Sequence, residues 1–131
     1  MKVELPLGDV VDKVSILLLK AQHITEPEKA ANIQRELAEL RTGWQEAGHP
    51  PMEALESWAG LCEINGKLWA VEDELRAMER AQNFSDDFVA AARSVYFLND
   101  RRAAFKREIN LRLGSTLIEE KSYEDYSATG Q

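Results

Sequence analysis

VYFLNDRRAAFKREIN, residues 95–110, reads as the interior of a long helix, with neither Pro nor Gly to break it. Counting by threes and fours from Phe88, a core-facing seam runs Phe88, Ala92, Val95, Asn99, Arg102, Lys106, Ile109 and Leu113. Both ends of that seam are apolar, and its middle is an amide and two cations. An unpaired charge inside a core costs several kcal/mol or more, so these side chains need partners, water or a ligand. Fold and function both turn on which of the three they have.

Three further helical segments precede this one. The first runs from about Leu7 to Ile24, where Leu7, Val10, Val11, Val14, Leu17, Leu18, Ala21 and Ile24 keep the spacing of a buried stripe. Asp9 is its expected cap, and Asp12 sits in the first turn, where the helix dipole favours an acid. Ile16 and Leu19 fall on the opposite side, which marks a helix that is central or shared with a second subunit. The second starts at a Thr25 cap with Glu28 completing a capping box and Pro27 in the first turn. Its seam is Ala30, Ile33, Leu37, Leu40, Trp44 and Ala47, and Gly48 ends it. The third spans roughly residues 51–82 with Leu61, Ile64, Leu68, Val71 and Leu75 as its stripe. Ser85 caps the fourth, which closes at Gly114. The expected class is all-α: a four-helix antiparallel bundle or a stack of helical hairpins over residues 1–114. An irregular C-terminal tail, residues 115–131, is expected to start ordered and end flexible.

Composition narrows the function classes. At 131 residues the chain is one ordinary domain, and it is long enough to bury a core without staples. It is 44% hydrophobic and 30% charged, which is neither a disordered nor a membrane composition. The longest apolar run, ILLL at residues 16–19, is far too short to span a bilayer, and MKVELPLGDV does not read as a secretion signal. The lone Cys62 fits a reducing compartment, so the expected location is the cytoplasm. A net charge of −7 argues against nucleic-acid binding, which needs a basic face. The charge is uneven, however: residues 93–112 hold six cations, Arg93, Arg101, Arg102, Lys106, Arg107 and Arg112, against Asp100 and Glu108.

The third helix repeats the oddity of the fourth. Asn65, Glu72 and Glu79 fall on the same side as Leu61, Leu68 and Leu75, with Arg76 at the edge. If the two helices turn near residues 83–84, Asn65 comes level with Arg102, and Glu72 with Val95. One reading is a pocket for a small anionic metabolite, phosphorylated or carboxylated, with a sugar nucleotide among the candidates. Arg102 and Lys106 would neutralise the anion, since Arg offers a planar fork and Lys a point charge. Asn65 and Asn99 would orient it with Arg76 at the margin. Glu72 would orient Arg102 or, as the sole candidate catalytic group, carry a proton. The rival reading is a protein–protein interaction or homodimerisation module whose buried polar residues only set helix register. No reaction is legible. His23 and His49 lack metal-ligand spacing, Ser15, Ser94 and Ser122 lack an evident His, and no Gly-rich phosphate loop is present, so neither metal nor cofactor is expected.

LGDVVDKVSIL, LWAVEDELR, ARSVYFLNDRRAAFKREIN and GSTLIEEKSY, taken in this order, resemble a family of small bacterial proteins catalogued only as a domain of unknown function. The resemblance spans roughly residues 5–123 and implies that these segments act together. It adds Asn110 to the ligand-binding set. It also singles out the tail motif, in which Lys121 and Tyr123 would fold back as a lid.

Overall fold

The computed structural model describes residues 1–114. They form α1 (Leu7–His23), α2 (Pro27–Glu46), a single 3-10 turn (Met52–Ala54), α3 (Trp58–Arg80) and α4 (Asp86–Leu113), with no strand among the described residues. The all-α expectation holds, and the arrangement is the hairpin stack. α3 and α4 pack as a long antiparallel pair, α1 lies on that pair, and α2 packs on α1.

α1 is the hub because it is apolar on more than one side. Val11, Val14 and Leu17 are buried, while Ile16, Leu18 and Leu19 are half-buried. The core gathers Val11, Val14 and Leu17, with Leu18 packed against them, together with Ile33, Leu37 and Trp44 of α2, Met52, Leu61 of α3 and Ile109 of α4. At about 25 cal/mol per Å² of apolar surface removed from water, this shared core is the main source of stability.

The helix ends differ from the sequence expectation in instructive ways. Asp9 does not cap α1; Pro6 holds that position, with no side-chain cap, and Asp9 lies inside the first turn. Proline fixes a φ suited to entering a helix, which frees the acid for another use. α2 begins at Pro27 with Glu26 at its cap, so the Thr25–Glu28 capping box does not form. Ser85 does occupy the cap of α4 in an extended conformation, without a side-chain cap bond. The third segment starts later than residue 51, because the 3-10 turn and its exit occupy the stretch before Trp58. Gly48 (φ 81°) and Gly114 (φ 66°) adopt the left-handed conformation that ends α2 and α4.

Two other glycines act by absence of bulk. A Cβ on Gly8 would lie 2.2 Å from the backbone oxygen of Lys106, so α1 and α4 nearly touch there. A Cβ on Gly60 would fall 2.4 Å from Cζ of Phe105, so the tip of that ring sits against α3 where glycine leaves room. Beyond this crowded body lies the outer half of the α3–α4 hairpin. No residue of α3 after Leu68, and none of α4 before Ile109, is fully buried. Phe84 and Phe88 meet edge to face at 5.2 Å near its tip.

Gly8→Ala is expected to destabilise the protein by about 1–3 kcal/mol, because a backbone oxygen cannot yield to the new methyl group. Gly66→Ala, in a helix interior with nothing within 4 Å, is expected to be neutral or to stabilise by up to about 1 kcal/mol. Urea unfolding of the two variants beside the parent checks both; equal effects would contradict the close approach at Gly8.

Candidate functional site

The polar seam of α4 is met by α1. Asp12 is 4% exposed and sits one residue from the buried Val11, so its carboxylate is carried inward with the stripe. Arg102 of α4 reaches it with two parallel bonds, Nε to Oδ1 at 2.9 Å and Nη2 to Oδ2 at 2.5 Å. Asn65 of α3 donates its Nδ2 to the same Oδ1 at 2.9 Å and to Ser15 Oγ at 2.8 Å. The Ser15 hydroxyl in turn donates to the backbone oxygen of Asp12 at 2.7 Å. One buried carboxylate therefore ties three helices together, and its lone pairs are met by charged and amide donors.

A second layer lies one turn toward the start of α1. Lys106 Nζ is 2.9 Å from Asp9 Oδ1, with the two side chains 14% and 29% exposed. The contact is an ion pair rather than an aligned hydrogen bond. Asn110, 1% exposed, accepts the Gly8 N–H on its Oδ1 at 2.6 Å. α1 has no cap of its own, so α4 supplies one across the helix interface, satisfying one of the open N–H groups of a helix start. The Asn110 Nδ2 is buried without a partner.

Of the residues singled out from sequence, Asn65, Arg102, Lys106 and Asn110 come together in this network. Glu72 does not. It is exposed on α3 beyond Leu68, and Asp12 takes the place expected for it beside Arg102. Arg76 is exposed and pairs with Asp73 at 2.9 Å, as neighbours on adjacent turns do. Asn99 is also exposed, because Leu98 takes the inward position at that turn. Lys121 and Tyr123 lie outside the described residues. Sequence reasoning missed Asp9, Asp12 and Ser15 as partners. The available signal was their threefold spacing along the edge of the α1 stripe.

The balance of charge follows. Two cations meet two acids, so the surplus cation expected from a Glu72-centred cluster is absent. Elsewhere the histidines are held by rings: His23 stacks on Trp69 at 4.8 Å and His49 lies against Trp44 at 4.5 Å. The Trp44 indole N–H donates to the Pro50 oxygen at 2.7 Å. No group of acids, histidines or Cys62 among the described residues could hold a metal ion. No helix among them is long and apolar enough to cross a membrane. An open recess of about 420 Å³ lies at the end of α2, lined by residues that include Arg41, His49 and Glu53. The Glu53 carboxyl is held below its ordinary range by a bond from its own backbone N–H, opposed by partial burial and aided by Arg41. Burial, and secondarily the Glu53 charge, push the Cys62 thiol up.

Removing Arg102 leaves Asp12 buried with only Asn65 on it. Arg102→Ala is expected to cost about 3–5 kcal/mol, and the double variant Asp12→Ala/Arg102→Ala much less than the sum of the two single losses. A denaturation double-mutant cycle reads this coupling; additive losses would dissolve the pair as an energetic unit. The raised Cys62 thiol leaves little thiolate near neutrality. Its alkylation by iodoacetamide is expected to titrate with a midpoint above that of a free cysteine, and a midpoint at or below it would refute the burial effect.

Neither curated proteins nor solved structures yield a match to this chain. A family model does match, over residues 1–130, a span that holds both layers of the polar network and all four helices. The chain belongs to the family of unknown function DUF6165.

Proposed function

We propose that this protein is a helical interaction module that docks a protein partner along the outer face of α4. The observation that carries the reading is the placement of apolar side chains. Val89, Tyr96, Phe97 and Leu111 are 49%, 61%, 50% and 60% exposed, and all four fall on one stripe of α4, opposite the seam that meets α1 and α3. Single exposed apolar residues are ordinary, but a line of them along one helix marks a contact surface. Arg93, Asp100 and Arg107 interleave with them at heptad spacing, the mixture of aromatic anchors and charge that protein interfaces favour. The cations on the inner face are already matched by Asp9 and Asp12, so the inner network suits register and the outer stripe suits recognition. The lone Cys62 supports a reducing, cytoplasmic setting.

A small anionic ligand is the second reading. It is favoured by the buried, unpartnered Asn110 Nδ2 and by the Arg102 side chain, which is 29% exposed. Such a ligand would have to displace Asp12 from Arg102 or Asp9 from Lys106. A melting rise with inorganic phosphate or a dicarboxylate that disappears in Lys106→Ala would move the function to this site.

The docking face is tested by photocrosslinking in expressing cells, with a benzophenone side chain placed at Tyr96 or, as a control, at the exposed Glu39 of α2. A discrete adduct from position 96 and none from position 39 is expected. Absence of any adduct at 96 would sink the reading.

A further inference from the structure

We infer that the recess at the end of α2 is a binding site for a free α-amino acid with an apolar side chain. Its lining comes from α2 and the turn that follows, so it is separate from the outer face of α4 and goes beyond the docking reading. Arg41 and Trp44 lie one turn apart near the end of α2. The chain then reverses through Gly48, in the left-handed conformation, and two prolines into the 3-10 turn that carries Met52 and Glu53. The reversal brings Glu53 back onto α2, where its Oε1 lies 2.8 Å from Arg41 Nη1. At about 420 Å³ the recess falls within the roughly 300–1,000 Å³ of small-molecule sites.

The walls of the recess are held by contacts of their own. Met52, 1% exposed, lines it and is at the same time part of the core, so it cannot move aside freely. The Trp44 indole N–H is engaged by the Pro50 oxygen at 2.7 Å, which leaves the ring as an apolar wall. The His49 ring lies 4.5 Å from it, tilted by 43°. Pro50 and Pro51 restrict the backbone of the connecting turn. A site with walls already in place loses little freedom when a ligand enters, and this favours binding of a small molecule.

Charge decides the ligand class. Arg41 and Glu53 are paired with each other, and the site uses them as a pair. Their side chains are 40% and 50% exposed, and an ion pair so open to water adds little to stability. A guanidinium carries several N–H donors and a carboxylate several lone pairs, so one contact saturates neither. The bond from its own backbone N–H, aided by Arg41, keeps the Glu53 carboxyl ionised at neutral pH. An anion alone would be drawn to Arg41 and repelled by Glu53, and a cation alone would meet the reverse. A free α-amino acid carries its ammonium and carboxylate on a single carbon, a spacing that matches two charges already in contact. With the carboxylate on the Arg41 fork and the ammonium on Glu53, every charge lies beside one of opposite sign. The ligand side chain then rests on Met52, Trp44 and Pro51. A charged side chain would be stripped of water against that apolar surface, so an apolar one is preferred.

Amide and indole NMR spectra of the full chain, titrated with L-phenylalanine and with L-leucine at millimolar concentration, test this. Saturable shifts are expected at the Trp44 indole N–H and at the backbone amides of His49 and Glu53. N-acetyl-L-phenylalanine lacks the ammonium and L-phenylalaninamide lacks the carboxylate. Each is expected to bind about tenfold or more weakly than L-phenylalanine, the effect of losing one charge-assisted bond. Arg41→Gln and Glu53→Gln are expected to weaken L-phenylalanine to a similar degree while keeping the parent's helical circular dichroism, since both side chains lie at the surface. No saturable shift with either amino acid would overturn the inference. So would blocked analogues that bind as well as L-phenylalanine, or binding that survives unchanged in both variants. None of these outcomes bears on crosslinking at Tyr96, so this site and the docking face stand or fall separately.

Discussion

A carboxylate taken out of water is among the most costly groups a small protein can bury, and Asp12 is nearly sealed from solvent. Its placement is acceptable only while Arg102 and Asn65 are in position, and those two side chains come from different helices. The requirement works as a three-way lock. Sliding α1 along the α3–α4 pair by one turn would keep at most one of the two ion pairs and leave one acid on α1 and one cation on α4 unmatched. Apolar contacts alone tolerate such slips, since one leucine row resembles the next. Buried polar layers of this kind are often no more stable than well-packed hydrophobes of similar volume, and their best-attested use is to fix register.

The second layer extends the same constraint to the start of α1. Helix starts leave N–H groups open, and a local serine or aspartate commonly meets one. Here Pro6 occupies the cap, and Asn110 meets the Gly8 N–H from another helix. That bond needs the two backbones close together, which only glycine permits at position 8. Gly8, Asn110, Lys106 and Asp9 are therefore one device: remove the close approach and the cross-helix cap and the ion pair lose their geometry together.

Much of this was legible in the sequence, and the part that was not has a definite cause. Periodicity showed the four helices and the inward aim of Arg102 and Lys106. It could not show which helix they face, because a helical wheel gives direction without a neighbour. Glu72 looked like the partner because α3 and α4 are adjacent in sequence and share a hairpin. The true partners, Asp9 and Asp12, lie about 90 residues away, and their position at a helix start offers a local explanation through capping and the dipole. A long-range role was hidden behind a sufficient short-range one. The same holds for Asn110, whose place near the end of α4 gives no sign that it caps α1. Asn99 was misplaced by a smaller effect: a choice between two neighbours at a single turn, which Leu98 wins by being apolar.

The two faces of α4 explain why its pattern reads weakly. A surface helix ordinarily turns its apolar side in and its charged side out. α4 carries two cations and a buried amide inward, matched by α1, and aromatic and aliphatic side chains outward. The contrast between its sides is therefore blurred, and a reading that follows only the inner seam sees half of its content. Selection for stability alone would reverse this arrangement, with leucines facing α1 and Arg102 and Lys106 in water. α4 matches its inner cations to Asp9 and Asp12 and leaves Val89, Tyr96, Phe97 and Leu111 about half exposed or more on its outer face. If the outer face docks a partner as proposed, the inner layer serves it, since a stripe read residue by residue needs a helix that does not roll.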